Sequence, residues 1–386
     1  MLILTVIGNR PQFIKAAAVS SHLRRAHREI LVHTGQHFDD RLSTVFFSEL
    51  GLPAPDRQLG VALGSASSQT ARMLAALEPV VAEVAPDAVL VYGDTNSTLA
   101  GALAAAQAGV PVAHVEAGMR SFDRTMPEEL NRVLTDHASS LLLCSTETAM
   151  ANLRRESAVG EARLVGDVMV DVALAALPRA RGRLDLLTAR GLEPGGYALA
   201  TAHRAGNVDD PGRLAALVGL LTGVAASVLP VVIALHPRTE RRLRDAQLMD
   251  SLAVAPGVMI LEPLGYFEMA ALLAGARAVL TDSGGLQKEA YLAGVPCVTL
   301  RENTEWTETV ALGWNTLVGL DLDAALRALA CSPPDPEPSR LAFGDGHAGE
   351  RVVEALADWS ARARSAGRMP RPVAPVPGAR SAPPAT

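Results

Sequence analysis

The chain has 386 residues, a length that allows two or three domains of about 150 residues each. Because 49% of the residues are hydrophobic and 20% are charged, the chain can bury a large core and is not disordered as a whole. The net charge of −6 at pH 7 gives no electrostatic reason to bind nucleic acid or an anionic membrane. The cysteines, Cys144, Cys297 and Cys331, are too widely spaced for a thiolate zinc motif or a disulfide framework, so we expect a reducing, cytoplasmic location.

Two apolar stretches resemble export or membrane segments but lack the full pattern of either. The run Leu2–Ile7 is six residues long and has no positively charged flank, so we do not expect a signal peptide. The 22 residues of Leu214–Leu235 carry no charge and are long enough to span a membrane. However, Asp210-Pro211 is typical of a helix start, and Pro230 interrupts the run. These features predict a buried helix followed by a buried strand.

The same pairing of a short apolar run with a helical segment recurs along the chain, which predicts parallel sheets covered by helices on both faces. The predicted strands, in chain order, are Leu2–Ile7, Ile30–His33, Ala88–Tyr92, Val110–Val115, Leu141–Cys144, Tyr197–Ala200, Val231–Leu235, Val258–Leu261, Ala278–Leu280 and Pro296–Leu300. The fold class is therefore α/β, doubly wound.

Ten strands exceed what one open sheet usually holds, so we expect two Rossmann-like domains facing a central cleft. The Arg- and Gly-rich stretch Arg179–Gly196 is the best boundary, giving an N-terminal domain of residues 1–178 and a C-terminal domain of 179–363. Residues 364–386 contain six prolines and no acidic residue, and we expect a disordered tail. Because parallel sheets bind ligands beyond the carboxyl ends of their strands, the loops after strands are the candidate sites.

In the first half, Gly8–Lys15 is a glycine-containing turn into a helix that carries Arg10 and Lys15, an arrangement suited to phosphate but also to two solvated cations. Further along, Asp94 comes one residue after the strand that ends at Tyr92, Glu116 follows an apolar strand directly, and Glu128 lies at the start of a predicted helix. Each acid alone is typical of a helix cap or first turn. Several carboxylates around one cleft favour acid/base chemistry.

In the second half, His203 and His236 follow two predicted strands, and each has an Arg close by, which favours an anionic ligand over two structural histidines. Ser283-Gly284-Gly285 then enters a helix, a turn that exposes backbone N–H groups to a diphosphate. Glu289 lies further along that helix, where its carboxylate can accept hydrogen bonds from ribose hydroxyls. No spacing typical of a metal site or of a nicotinamide-binding loop occurs, so we expect neither metal nor cofactor.

Taken together, these motifs resemble the non-hydrolysing UDP-N-acetylglucosamine 2-epimerases, relatives of the GT-B glycosyltransferases, from Leu2 to about Leu356. The segments that carry the resemblance are Gly8–Lys15, Thr34–His37, Gly93–Thr98, His114–Ser121, Pro127–Arg132, Thr201–Arg204, Thr281–Ala290 and Thr304–Glu308. The resemblance implies a GT-B-like fold, a homodimer and inversion at C2 of UDP-GlcNAc to UDP-ManNAc through UDP elimination to 2-acetamidoglucal and re-addition.

The resemblance also implies roles for individual residues. The acid/base candidates are Asp94, Glu116 and Glu128, and His203 is the functional histidine near the diphosphate. Substrate binding falls to Arg10, Lys15, Arg132, Met269, Ser283, Gly284, Gly285 and Glu289, where Met269 replaces an aromatic residue of some members. A second, activating UDP-GlcNAc site, as in some bacterial members, would involve Gln36, His37 and His236.

The sequence leaves several further activities open. The same motifs resemble enzymes acting on UDP-2,3-diacetamido-glucuronate, whose extra carboxylate requires a cation such as Arg120, Arg124 or Arg204. A nucleotide-sugar cleft also suits a hydrolysing relative, a GT-B glycosyltransferase and a non-catalytic nucleotide-sugar sensor. A transferase does not need three carboxylates in its first domain, and a sensor does not need the acids together with His203.

Overall fold

A computed structural model describes residues 1–36, 47, 49–62, 64–335 and 342–365, in which the chain forms two compact α/β units. Among the described residues, the first unit contains 1–36, 51–165 and 348–365, and the second contains 47, 49–50 and 166–347. Each unit is built on one parallel sheet, so the predicted doubly wound α/β class is confirmed.

The first unit has a seven-stranded sheet in the order β3-β2-β1-β4-β5-β6-β7. Its strands are β1 (Leu2–Ile7), β2 (Arg28–His33), β3 (Arg57–Gln58), β4 (Ala88–Tyr92), β5 (Val112–Ala117), β6 (Leu141–Cys144) and β7 (Glu161–Leu164). Its helices are α1 (Arg10–Ala26), α2 (Ala66–Val84), α3 (Asn96–Gln107), α4 (Pro127–Ala138), α5 (Glu147–Arg155) and, from the C-terminal end, α16 (Ala348–Ser365). The central strands β4 and β5 are buried along their whole length.

The second unit has a six-stranded sheet in the order β10-β9-β8-β11-β12-β13. Its strands are β8 (Ala198–Thr201), β9 (Val231–Ala234), β10 (Val258–Leu261), β11 (Ala278–Thr281), β12 (Cys297–Thr299) and β13 (Asn315–Leu317). Its helices are α6 (Val168–Arg181), α7 (Leu184–Thr188), α8 (Ala205–Val208), α9 (Pro211–Ser227), α10 (Pro237–Asp245), α11 (Met249–Ala253), α12 (Tyr266–Gly275), α13 (Gly284–Ala293), α14 (Thr307–Ala311) and α15 (Leu322–Ala330).

All ten predicted strands overlap observed ones, and three further strands, β3, β7 and β13, lie at sheet edges. The sequence of these three lacks a buried apolar run. Arg57 and Gln58 of β3 are exposed, β7 includes two charged residues, and β13 is three residues long. An edge strand pairs on one side only, so it needs less apolar sequence than a central strand.

The uncharged stretch Leu214–Leu235 forms a buried helix and a buried strand, as predicted. Asp210 caps α9 by accepting the Arg213 backbone N–H at 2.8 Å, and β9 follows after Pro230. In the part of the chain that the structure describes, no helix combines the length and apolarity needed to cross a membrane.

The division between the units differs from the predicted boundary at 178/179, because it falls between Val165 and Gly166. Helix α6 packs against α12 and α13, and the Asp167 N–H donates to the Phe343 carbonyl at 2.8 Å. Helix α16 packs against α1 and belongs to the first unit, although the prediction assigned most of it to the C-terminal domain. This helix reaches Ser365, and the rest of the predicted tail lies outside the described residues.

Candidate active site

In the first unit, a largely buried ion pair joins Lys15 of α1 to Glu116 of β5. The side chains are 12% and 9% exposed, so water screens their attraction only partly. Strands β4 and β5 pair in register up to Tyr92 and Val115, which brings Gly93 and Glu116 to the same edge of the sheet. The predicted Lys15 and Glu116 therefore meet beyond the carboxyl ends of the central strands.

The backbone around this pair adopts unusual conformations. Glu116 has a φ of +73°, in the left-handed region that non-glycine residues rarely occupy, and the pairing of β5 with β6 is irregular there. Gly93 has a φ of +64°, and a Cβ at this position would lie 2.8 Å from Lys15 Nζ and 3.2 Å from Glu116 Oε2. Glycine is thus required for the close approach, and strain of this kind is typical of functional sites.

A second ion pair joins Asp94, which follows β4, to Arg132 of α4. Arg132 Nη2 lies 2.5 Å from Asp94 Oδ2, and Asn131 Nδ2 donates to the Asp94 carbonyl at 3.0 Å. Arg132 is 1% exposed, whereas the Asp94 side chain is 31% exposed. A buried cation therefore orients a carboxylate that solvent or a ligand can reach.

The acids at the start of α4 play different parts. Proline at the first position and acids in the first turn confirm the predicted helix start. Glu129 is buried and accepts hydrogen bonds from the backbone N–H groups of Ser121 and Phe122, at 2.9 and 3.0 Å. Glu128, the predicted acid/base candidate, is half-buried on the same turn. Of these two neighbours, Glu129 thus holds the preceding loop.

Behind the carboxylates lies a buried network centred on Asp136 of α4. The Asp136 carboxylate lies 2.7 Å from His114 Nδ1, 2.8 Å from Arg120 Nη1 and 3.1 Å from the Gly118 nitrogen. Burial alone would raise the pKa of Asp136, but the hydrogen bond and charge of His114 and the charge of Arg120 lower it overall. Sequence reasoning missed this network, because Asp136 lies on α4, apart from the segment that holds His114, Gly118 and Arg120.

Arg120 was one of three cations considered for an extra substrate carboxylate. Its guanidinium is 1% exposed and binds Glu156 through two nitrogens, at 2.8 and 2.6 Å, in addition to Asp136. Burial opposes the charged form, but Glu156 and Asp136 together raise the pKa of Arg120 overall. These bonds disfavour Arg120 as a substrate contact and leave Arg124 and Arg204.

Two further predicted residues of the first unit, Arg10 and Gln36, follow the strands β1 and β2. Arg10 is the first residue of α1 and is half-buried. Gln36 Oε1 accepts the backbone N–H and the hydroxyl of Ser97, at 3.0 and 2.7 Å, and so anchors the start of α3. Gln36 therefore has a structural role in addition to its predicted role in a second, activating UDP-GlcNAc site. His37 lies outside the described residues.

In the second unit, Ser283 ends the connection from β11, and Gly284 begins α13 without a side-chain cap. A Cβ on Gly284 would lie 3.3 Å from Trp306 Nε1 and would contact the Glu305 carboxylate, whereas a Cβ on Gly285 would meet only Ser283 Oγ at 3.9 Å. The uncapped N–H groups at the start of α13 favour an anion there.

Two histidines stack near this turn. The rings of His203, after β8, and His236, the N-cap of α10, are 5.2 Å apart with an interplanar angle of 28°. His203 Nδ1 lies 3.6 Å from the buried Asp282, and Arg204 Nη2 lies 3.6 Å from Glu305. The predicted His203 and His236 thus come together, at the carboxyl ends of neighbouring strands.

The other predicted residues lie on helices of this unit. Glu289 is half-buried on α13, and Met269 on α12 packs partly against the core. Between the predicted residues of α13, Lys288 is fully buried, forms an ion pair with Asp167 at the start of α6, and lies 3.8 Å from the Trp306 ring centre. This contact fixes α13 to the beginning of the second unit.

Comparison with known proteins identifies the family. The family model described as UDP-N-acetylglucosamine 2-epimerase matches residues 21–357. A Methanococcus maripaludis protein named UDP-N-acetylglucosamine 2-epimerase homolog is 44% identical, covering 92% of this chain and 99% of its own. The UDP-2,3-diacetamido-2,3-dideoxy-D-glucuronate 2-epimerase of Pseudomonas aeruginosa is 46% identical with the same coverage.

Among solved structures, Methanocaldococcus jannaschii UDP-GlcNAc 2-epimerase in complex with UDP-GlcNAc and UDP matches with a TM-score of 0.87. Its sequence is 40% identical, and the match covers 93% of this chain and 100% of that one. These matches run through both units, as the motifs do. The chain belongs to the UDP-N-acetylglucosamine 2-epimerase family.

Proposed function

We propose that the protein interconverts UDP-GlcNAc and UDP-ManNAc by inversion at C2 of the sugar. The observation that carries this proposal is the pair of carboxylates, Asp94 and Glu116, each held by a cation at one edge of the first sheet. Inversion at carbon requires one group that removes a proton and another that returns it to the opposite face. The relatives named as UDP-GlcNAc 2-epimerases support this activity.

The proposed reaction needs no oxidant or reductant. A carboxylate takes the C2 proton, the C1–O bond breaks, and UDP leaves with the bonding electrons, giving 2-acetamidoglucal. UDP then adds back to C1 while a protonated group delivers a proton to the other face of C2. Asp94, Glu116 and Glu128 are the candidates for these transfers. Lys15 and Arg132 hold two of them, Glu116 and Asp94, in position.

The departing UDP needs stabilisation as its charge develops, and we assign this task to the second unit. The start of α13, from Ser283 to Gly285, offers backbone N–H groups to the diphosphate, and His203 can donate to it. Glu289 would accept hydrogen bonds from the ribose, and Met269 would line the uracil site. These roles rest on the motifs and on the start of α13, which no side chain caps.

A second candidate substrate is UDP-2,3-diacetamido-2,3-dideoxyglucuronate. The 46% identical relative from Pseudomonas aeruginosa bears that substrate in its name. The extra carboxylate would need a cation, and Arg124, which is exposed, and Arg204 are the residues to test. Charge-assisted hydrogen bonds from arginine to carboxylate are strong enough to distinguish the two sugars.

The deciding experiment is proton NMR of the purified protein with UDP-GlcNAc in deuterated water. We expect UDP-ManNAc to appear with deuterium at C2, while a Glu116→Gln sample run in parallel shows neither. An unchanged, undeuterated substrate would reject this activity and would move the diacetamido-uronate to first place. UDP release that depends on a sugar acceptor would instead identify a transferase.

The assembly and location form part of the same proposal. Phe122, Leu130 and Leu134 are 69%, 56% and 43% exposed, and the two leucines lie one turn apart on α4. Exposed apolar side chains on one helix face favour a homodimer, which light scattering after gel filtration would test. We further propose a cytoplasmic location and a role in supplying sugars for polysaccharide synthesis; the free thiols of Cys144, Cys297 and Cys331 are compatible with a reducing compartment.

A further inference from the structure

A histidine in the centre of the first sheet has no role in the chemistry described above. His114 lies in β5, two residues before Glu116, and is 0% exposed. It pairs in register with Val91 of β4, the strand that precedes Asp94. A fully buried imidazole at this place must satisfy both of its nitrogens within the protein.

Both ring nitrogens of His114 face hydrogen-bond acceptors. Nδ1 lies 2.7 Å from Asp136 Oδ1, and Nε2 lies 2.7 Å from the Gly93 carbonyl oxygen. A carbonyl oxygen only accepts, and Asp136 is a carboxylate that also receives the Gly118 N–H and Arg120. A neutral imidazole has only one N–H. Its other nitrogen is an acceptor, and it would face a second acceptor, either Asp136 or the Gly93 carbonyl, with no proton between them. Only the doubly protonated ring donates to both.

We infer that His114 is a positively charged positioning residue, which holds the Gly93 carbonyl and thereby fixes the peptide that carries Asp94. The inference rests on the proposed function for its catalytic consequence, but not for the charge of the ring. The Gly93 N–H donates to the Val115 carbonyl at 3.0 Å, so both polar groups of Gly93 are tied to β5. These two hydrogen bonds fix the orientation of the peptide between Gly93 and Asp94.

The charges around the ring balance. Asp136 and Glu156 supply two negative charges, and His114 and Arg120 supply two positive ones. Buried ions that are paired and hydrogen-bonded in this way avoid the cost of an isolated buried charge. A neutral His114 would leave these four groups with a net negative charge, and of the four only Glu156, at 29%, is appreciably exposed.

Two variants and one control test the inference. His114→Gln removes the positive charge, and Asp136→Asn offers Nδ1 an amide donor, so that the ring becomes neutral while the bond to Gly93 is kept. His137→Gln is the matched control, because His137 follows Asp136 directly on α4 and its side chain is 43% exposed. Selective ¹⁵N labelling of histidine reports the protonation of each ring nitrogen, and His114 is assigned by its loss in His114→Gln or its shift in Asp136→Asn.

At pH 7.5 we expect both nitrogens of His114 to be protonated in the wild-type protein and one in Asp136→Asn. We expect His114→Gln to lower kcat about 100-fold, because Asp94 is misplaced, while KM changes less than about threefold. His137→Gln should match the wild type. A neutral ring in the wild-type protein, or a kcat of His114→Gln equal to that of His137→Gln, would overturn the inference.

The two variants separate failure of the inference from failure of the proposed function. If His114→Gln does not fold, Asp136→Asn supplies the NMR assignment, and a ring whose protonation is the same in Asp136→Asn as in the wild type would reject the inference. If the wild-type protein epimerises none of the UDP-sugars, the proposed function is wrong. The ring charge measured by NMR then still decides the part of the inference that concerns His114 itself.

Discussion

The two carboxylate oxygens of Asp282 each lie 3.1 Å from the backbone nitrogen of His203. The same carboxylate accepts the Arg204 N–H at 2.9 Å and Asn207 Nδ2 at 3.1 Å, and it is 0% exposed. Asp282 follows β11 and His203 follows β8, so one buried side chain joins the loops that leave two neighbouring strands. Asp282 thereby fixes the loop that carries His203 relative to the turn that begins α13.

Replacing Asp282 with Ala should loosen the contact between the loop that carries His203 and the start of α13. Three N–H donors, one of them buried, would lose their acceptor, and we expect the free energy of unfolding to fall by about 2–4 kcal/mol. Urea denaturation measures this loss, and KM for the UDP-sugar should rise because His203 is no longer held. Asp245→Ala, at an exposed position on α10, is the control. A difference from the control of less than about 0.5 kcal/mol would show that the bonds are dispensable.

The three acid candidates can be separated by isotope exchange. We expect Asp94→Asn, Glu116→Gln and Glu128→Gln to lower kcat by about 100-fold to 10,000-fold where the residue transfers a proton. Deuterium incorporation at C2, followed by NMR from UDP-GlcNAc and separately from UDP-ManNAc, assigns each acid to one face of the sugar. Glu147→Gln, at an exposed first-turn position of α5, serves as control. Full turnover in both Glu116→Gln and Glu128→Gln would place the chemistry on other residues.

Adjacent glycines at the start of α13 should respond differently to an added methyl group. In Gly284→Ala the new Cβ would meet the Glu305 carboxylate, which is 8% exposed and held 2.9 Å from Arg301 Nη2, so it has little room to move. We expect a loss of about 1–3 kcal/mol in the free energy of unfolding. Gly285→Ala is the matched control, since its Cβ would make only an ordinary contact with Ser283 Oγ, at 3.9 Å. Thermal and urea unfolding of both variants measure the difference, and equal stabilities would contradict the contact.

The central strands and the motif residues could be predicted from the sequence, because each is defined by a short continuous segment. Runs such as Ala88–Tyr92 are apolar throughout, as a strand buried on both faces requires. Asp282 and His114 illustrate what sequence reasoning missed. Each lies inside a motif, but its task is defined by atoms on loops or helices about 20 to 80 residues away, such as Asp136 and His203. An acid or histidine directly after or inside a buried strand is the signal that could have marked them.

The buried Asp136 predicts a specific response of stability to acid. His114 and Arg120 lower the pKa of Asp136 in the folded protein, in spite of burial, and the hydrogen bond from Arg120 lowers the pKa of Glu156. A carboxyl group whose pKa is lower in the folded than in the unfolded state contributes stability above its unfolded pKa, about 3.9 for Asp. That contribution is lost as the pH falls through the folded pKa.

We therefore expect the urea midpoint of the wild-type protein to fall steeply as the pH is lowered below about 4, since the unfolded chain then binds more protons than the folded one. Asp136→Asn should be less stable at pH 7 and should show a shallower decline, because its amide does not titrate. Asp358→Asn, an exposed acid on α16, is the control and should follow the wild-type slope. Parallel slopes for Asp136→Asn and the wild type would mean that this carboxylate gains nothing from His114 and Arg120.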